Sequence, residues 1–231
     1  MVTTTLHYYY DPLCGWCYGA APLLAAAANV AGLAIALHAG AMMSGPNRQQ
    51  VSPQLRQYVM GHDQRIRQLT GQPFGDGYFN GLLLDNSAVF DSTPPTLAIL
   101  AAEALGLDGL AMLHRLQQVH YVDGRRIADV TVLQQLAQEL GLDGAAFAAE
   151  YQRQQGEFAA HVGRSHRDMA AHGLRGFPSL LLEVDGRLQR LELSPFLGKP
   201  QVFAGYLQGL LAGAASQGTD DAPFCTPDGC Q

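Results

Sequence analysis

The stretch Asp11-Pro12-Leu13-Cys14-Gly15-Trp16-Cys17-Tyr18-Gly19 decides how the rest of the chain is read. Before it, Thr3 to Tyr10 is rich in β-branched and aromatic residues, the composition of a strand. Asp11-Pro12-Leu13 breaks that strand. Cys14 to Ala31 then carries leucine and alanine at helical propensity, up to a terminator at Gly32. Leu33, Ile35 and Leu37 alternate with Ala34, Ala36 and His38 as a second strand. A C-x-x-C pair therefore stands at a strand-to-helix junction inside a β-α-β unit.

That placement has chemical consequences. The first turn of a helix leaves backbone N–H groups unpaired and presents the positive end of the dipole, which favours a thiolate at Cys14. Cys14 is then the expected exposed nucleophile, with Cys17 beneath it to resolve a mixed disulfide. Neither Gly15 nor Trp16 carries charge, so the helix terminus is the main local support for the thiolate. The rival readings are half of a zinc site, which needs two more ligands from Cys225 and Cys230 or scattered histidines, and an inert structural pair. The strand before the motif and the helix after it favour redox chemistry.

Outward from this unit the pattern turns helical. Ser92 reads as an N-cap, with Pro94 and Pro95 in the first turn and Gly106 as terminator. Asp129 reads as the cap of another helix, and further helical patterns cover Gln54 to Leu69, Leu110 to Tyr121 and Ala145 to Ala171. Gly71 to Asn86 is glycine-rich and reads as a loop or short turn. The end is β again: Leu180 to Val184 and Arg187 to Leu193 flank Asp185-Gly186, a strong hairpin signal. A last helix spans Gln201 to Leu211, and from Gly213 the periodicity is lost. Gly176-Phe177-Pro178-Ser179 leads into the first hairpin strand. Proline there suits an edge or a turn; the functional alternative is a cis Phe177–Pro178 peptide beside the cysteines, leaving the Phe177 backbone free to pair with an extended substrate.

Composition narrows the classes. The 231 residues are 48% hydrophobic and 15% charged, which excludes disorder and fibrous repeats. A net charge of -6 leaves no footprint for nucleic acid or an anionic membrane. Pro12 to Asn47 lacks Asp, Glu, Lys and Arg, but its alanine content and Gly32 make a poor membrane span. With no basic residue before Arg48 there is no secretory n-region, so a cytoplasmic location is expected. His7, His38, Met42, Met43 and Tyr8 to Tyr10 read as strand or packing residues, and Asp11 as a cap of the first helix.

Asp11 to Gly19, the helical middle and Gly173-Leu174-Arg175-Gly176-Phe177-Pro178 resemble the DsbA family of thioredoxin-fold oxidoreductases. The spacing of Cys225 and Cys230 is similar to that of the cytoplasmic FrnE-like branch. The resemblance implies an α/β thioredoxin fold (β-α-β … β-β-α) with an inserted all-helical domain: residues 1–48 and 173–215 as the thioredoxin-like part, 49–172 as the insert, and 216–231 as a tail. It implies disulfide exchange at Cys14 and Cys17, with Pro178 as the cis-proline. Periplasmic relatives have histidine where this chain has Trp16, which implies a less oxidising pair, nearer to reductase or isomerase duty. Kappa-class glutathione transferases and hydroxychromene-carboxylate isomerases have serine in place of the reactive cysteine.

The expectation is a thiol–disulfide oxidoreductase or disulfide isomerase acting on thiol- or disulfide-containing proteins. Cys14 and Cys17 are catalytic with Pro178, while Phe177 and Trp16 contact substrate. Cys225 and Cys230 are expected as an auxiliary redox pair, because Phe-Cys-Thr-Pro-Asp-Gly-Cys favours a turn and so short a loop is a weak staple. No metal and no organic cofactor is expected, with glutathione the candidate co-substrate. A glutathione-dependent transferase or small-molecule isomerase, and a zinc- or partner-binding module, remain as alternatives.

Overall fold

The computed structural model describes residues 4–217 and, as backbone only, two short strands in the tail. Strand β1 (Thr4–Tyr10) runs into helix α1 (Gly15–Ala27), which returns the chain to β2 (Leu33–Ala39). β1 and β2 pair in parallel, Thr4 opposite Leu33. β3 (Gln49–Gln50) and β4 (Val89–Phe90) form a small ladder around helix α2 (Pro53–Thr70). Four helices follow: α3 (Thr93–Ala104), α4 (Gly109–Tyr121), α5 (Val130–Glu139) and α6 (Gly144–Ala171). The hairpin β5 (Ser179–Val184) and β6 (Arg187–Leu191) then joins the first sheet, and α7 (Pro200–Gln217) covers it. The order across the sheet is β2-β1-β5-β6, with β5 antiparallel to β1.

The hairpin turns at Asp185 and Gly186, whose φ values of 47° and 77° are both left-handed, as a tight turn matched to strand twist demands. Along β1, Leu6, Tyr8 and Tyr10 enter the main core, while Tyr9 packs on the other face with Leu181, Met169 and Leu174. The main core is continuous from the sheet into the helical segment: Leu24 and Phe203 belong to the same cluster as Leu113, Leu136 and Phe147.

Three ties hold the helical segment against α1. Gly15 and Gly19, one turn apart, let α2 approach; a Cβ on Gly19 would lie 2.8 Å from Ile66 Cγ2. Pro22 has no N–H to give the Tyr18 carbonyl one turn back, and the Gln72 side-chain amide donates to that oxygen instead, at 2.8 Å. Tyr18 Oη in turn donates to the Pro73 carbonyl at 2.6 Å.

Several local readings change. The glycine-rich segment is not plain loop: Gly77–Gly81 forms a π-helical turn and Leu82–Leu84 a 3-10 turn. The last helix runs on to Gln217, past the loss of periodicity at Gly213. Ser92 precedes α3, but its side chain makes no capping bond, and neither does that of Asp129 before α5. In the tail, β7 (Cys225–Thr226) pairs antiparallel with β8 (Gly229–Cys230), Cys225 opposite Cys230. The redox role expected of those two cysteines depends on sulfur positions that lie outside the described residues.

Candidate active site

At the end of β1 the chain turns through Asp11-Pro12-Leu13, and the Cys14 amide donates back to the Asp11 carbonyl at 3.1 Å. Cys14 becomes the N-cap of α1 with extended backbone, φ -84° and ψ 113°, and its side chain does not cap. The thiol is instead aimed across the sheet, with Sγ 3.4 Å from the Phe177 carbonyl oxygen. The Phe177–Pro178 peptide is cis. Long-range folding thus brings the two sequence signals to one point.

Cys14 is less open than a residue on a bare helix end. It is 7% exposed and Cys17 is 0% exposed, so both residues are buried and only the first keeps any access to solvent. This corrects the expectation of an exposed nucleophile, while keeping the order of access. Cys17 is pushed well above the ordinary thiol range, first by burial and then by Cys14 beside it. Tyr8 lies beneath, its hydroxyl donating to the Cys17 carbonyl at 3.4 Å. Burial, together with the two cysteines, pushes this phenol up as well. Trp16, Phe177 (whose carbonyl meets Cys14 Sγ), Pro178, Ser179, Arg190 and Leu197 line an open cleft of about 190 Å³. That volume suits a side chain or two of an extended chain, not a drug-sized ligand.

Asp11 is not a cap of α1. Its carboxylate is fully buried and accepts from the Leu13 amide at 2.8 Å, the Ser92 hydroxyl at 2.9 Å and the Met42 amide at 2.6 Å. Ser92 Oγ also accepts from the Met43 amide at 3.1 Å. The turn before Cys14, the loop after β2 and the start of α3 therefore meet on one side chain. Ala41, just before Met42, holds a left-handed φ of 51°, a conformation unfavourable for alanine that the Met42 bond helps to keep.

Gly40 sets the position of the Phe177 ring. A Cβ built on Gly40 would stand 1.8 Å from Phe177 Cζ, so the tip of the ring occupies the space that a side chain would take. His166 fixes that backbone from α6, its Nε2–H donating to the Gly40 carbonyl at 2.7 Å. Gly40→Ala is expected to expel the ring from this seat and cut disulfide exchange about tenfold, with the far-ultraviolet circular dichroism unchanged. Unaltered turnover would show that the ring's seat does not matter. His7 and His38 hydrogen-bond each other at 2.9 Å, and His7 also meets Glu183 at 2.9 Å. This polar contact runs across three neighbouring strands, β2, β1 and β5.

The sequence profile of the DSBA-like thioredoxin domain matches residues 5–198. The chain belongs to this family. Its domain is that of a DsbA-like thiol–disulfide oxidoreductase, whose substrates are thiols and disulfides. Among solved structures, the cytosolic disulfide reductase DsbM from Pseudomonas aeruginosa is 56% identical, with a TM-score of 0.85 over 90% of this chain and 98% of that one. The same reductase with GSH aligns at 54% identity and a TM-score of 0.84, covering 90% and 99% of the two chains. DsbA from the same organism shares the fold alone, at 13% identity and a TM-score of 0.52 over 93% and 86%. No curated protein matches the chain. Among the described residues no helix is long and apolar enough to cross a membrane.

Sequence reasoning missed the contacts of Asp11, Gly40 and Tyr8, and the burial of Asp63 on α2, which is 3% exposed. Only Asp63 left a pattern that could have been found. It continues the Leu55, Val59, Ile66 face of α2, where an acid has no reason to be unless it is buried.

Proposed function

We propose that Cys14 and Cys17 are the redox pair of a cytoplasmic disulfide reductase of the FrnE-like kind, with glutathione and thiol- or disulfide-bearing proteins as substrates. The observation that carries this reading is the 56% identity to a cytosolic disulfide reductase along nearly all of that protein. The presence of GSH in the second DsbM structure supports glutathione as one substrate here. On this reading Cys14 attacks one sulfur of a substrate disulfide, the S–S bond breaks, and the first substrate thiolate leaves and takes a proton. Cys17 then gives up its proton and attacks Cys14 Sγ, releasing the second substrate thiol. Two electrons have passed to the substrate and the pair is a disulfide. Two molecules of glutathione restore it and leave as glutathione disulfide. The Phe177 carbonyl and Pro178 align the incoming chain, and Trp16 supplies an apolar wall. Cys225 and Cys230 are read as a second dithiol able to exchange with the first.

The test is an equilibrium titration of the pair against glutathione buffers, with thiols counted by mass. A midpoint below about -180 mV is expected, in the range of reducing or isomerising pairs. A midpoint near about -120 mV would make the protein an oxidant instead. A glutathione transferase or small-molecule isomerase would keep its turnover in Cys17→Ser. A zinc module would copurify with metal and show no dithiol turnover.

A further inference from the structure

Asp63 is a buried acid that the exchange steps leave unused. It stands on α2, 3% exposed, and accepts a hydrogen bond from the Tyr78 hydroxyl on Oδ2 at 3.0 Å. Its other oxygen faces the first turn of α1: a Cβ placed on Gly15 would lie 2.9 Å from Asp63 Oδ1 and 3.0 Å from Ile66 Cδ1. Gly15 is the residue between Cys14 and Trp16. The absence of a side chain there is what lets the carboxyl reach the helix terminus.

That terminus is the positive, N–H-rich end on which a Cys14 thiolate also depends. A carboxylate set into the same end neutralises part of its field and repels a second anion across a poorly solvated interior. The ionisable groups around Asp63 do not relieve this. Tyr78 comes from the π-helical turn and Tyr121 from α4, and the cysteines from α1; Tyr121 feels Asp63, Cys14 and Cys17 together. Among the described residues no salt bridge includes Asp63.

We infer that Asp63 is a redox-tuning residue, a buried charge on α2 that opposes the Cys14 thiolate and makes the Cys14/Cys17 pair a stronger reductant. The couple is the disulfide plus two electrons and two protons against the dithiol, and a thiolate at Cys14 stabilises the reduced side. Disfavouring that thiolate shifts the couple towards the disulfide, so the electrons are given up more readily. The inference deepens the reductase reading and rests on it. It also gives a second physical reason, besides Trp16 in place of histidine, for a pair less oxidising than that of a periplasmic relative.

Burial pushes Asp63 up to about 7, against the lowering effect of the Tyr78 bond. The charge therefore appears as pH rises through neutrality, and the alkylation rate of reduced Cys14 should flatten above that point. The experiment uses the full chain with Asp63→Asn and Tyr78→Phe, the glutathione titration and the pH profile of Cys14 alkylation by iodoacetamide. Asp63→Asn keeps the shape and can still accept from Tyr78. It is expected to move the glutathione equilibrium about tenfold towards the dithiol, since the opposing buried charge is gone. It should also turn the alkylation profile into a single ionisation. Tyr78→Phe keeps the charge but removes the bond that favours it, so the flattening should move to higher pH.

A folded Asp63→Asn protein with the wild-type equilibrium and profile overturns the inference. If that variant does not fold, an unmoved inflection in Tyr78→Phe overturns it. A wild-type pair inert to glutathione overturns the reductase reading and this inference with it, whereas a responsive pair indifferent to both variants overturns the role of Asp63 alone.

Discussion

Cys14→Ser is expected to abolish disulfide exchange, and Cys17→Ser to hold the protein as a mixed disulfide through Cys14. The asymmetry follows from access and from chemistry. Cys14 keeps some access to solvent and has the carbonyl of Phe177 at its side, while Cys17 is fully enclosed beneath it. A serine hydroxyl at position 14 supplies no thiolate, so the first S–S bond is never broken and insulin reduction falls to background. A serine at position 17 leaves the first attack intact and removes only the group that releases the substrate. Mass spectrometry of Cys17→Ser after incubation with glutathione disulfide should show one added glutathione, and none in Cys14→Ser. Turnover by Cys14→Ser, or equal alkylation of the two thiols in the reduced protein, would reverse the assignment.

Asp11→Ala should be the most damaging change outside the cysteines. It removes the acceptor for two backbone amides and one hydroxyl at a fully buried point, leaving Leu13 N–H, Met42 N–H and Ser92 Oγ–H without it. Each orphaned buried donor costs about 1–3 kcal/mol, and with the Met42 amide only part-buried the two buried donors set a loss of about 2 kcal/mol or more. The strained φ at Ala41 then has less to hold it, and the turn that presents Cys14 loosens. Asp11→Asn does not restore the site: one end of an amide can accept, but the other would face the Met42 donor with donors of its own. Urea denaturation should show a lower midpoint for both variants, larger for alanine, and the surviving folded fraction should exchange disulfides more slowly. A wild-type midpoint in Asp11→Ala would mean that the three donors find other partners at no cost.

The elements legible beforehand are those whose cause is local. A β-branched run, a Pro-containing break and an alanine-rich segment write β1, the turn and α1 in consecutive residues. Asp185-Gly186 writes its own turn, because both positions must be left-handed and those residues tolerate that best. Helix ends were less legible where a tertiary demand competed. Ser92 has the sequence context of an N-cap, yet its hydroxyl goes to the buried Asp11 carboxylate, and the first N–H of α3, that of Thr93, is taken instead by Asp91 Oδ1 at 2.8 Å.

By itself the sequence determined the chemistry on offer: two sulfurs one helical turn apart at a strand-to-helix junction, a proline before a later strand, and a helical stretch long enough to cover them. Only the tertiary structure decided what surrounds those sulfurs. Phe177 arrives at Cys14 because β5 pairs with β1, and its ring settles where Gly40 leaves room. Asp63 arrives at Gly15 because α2 packs on the glycine ridge of α1. Such contacts have no periodicity and no spacing rule, because a buried polar group takes its partner from whatever the packing of distant segments brings within reach.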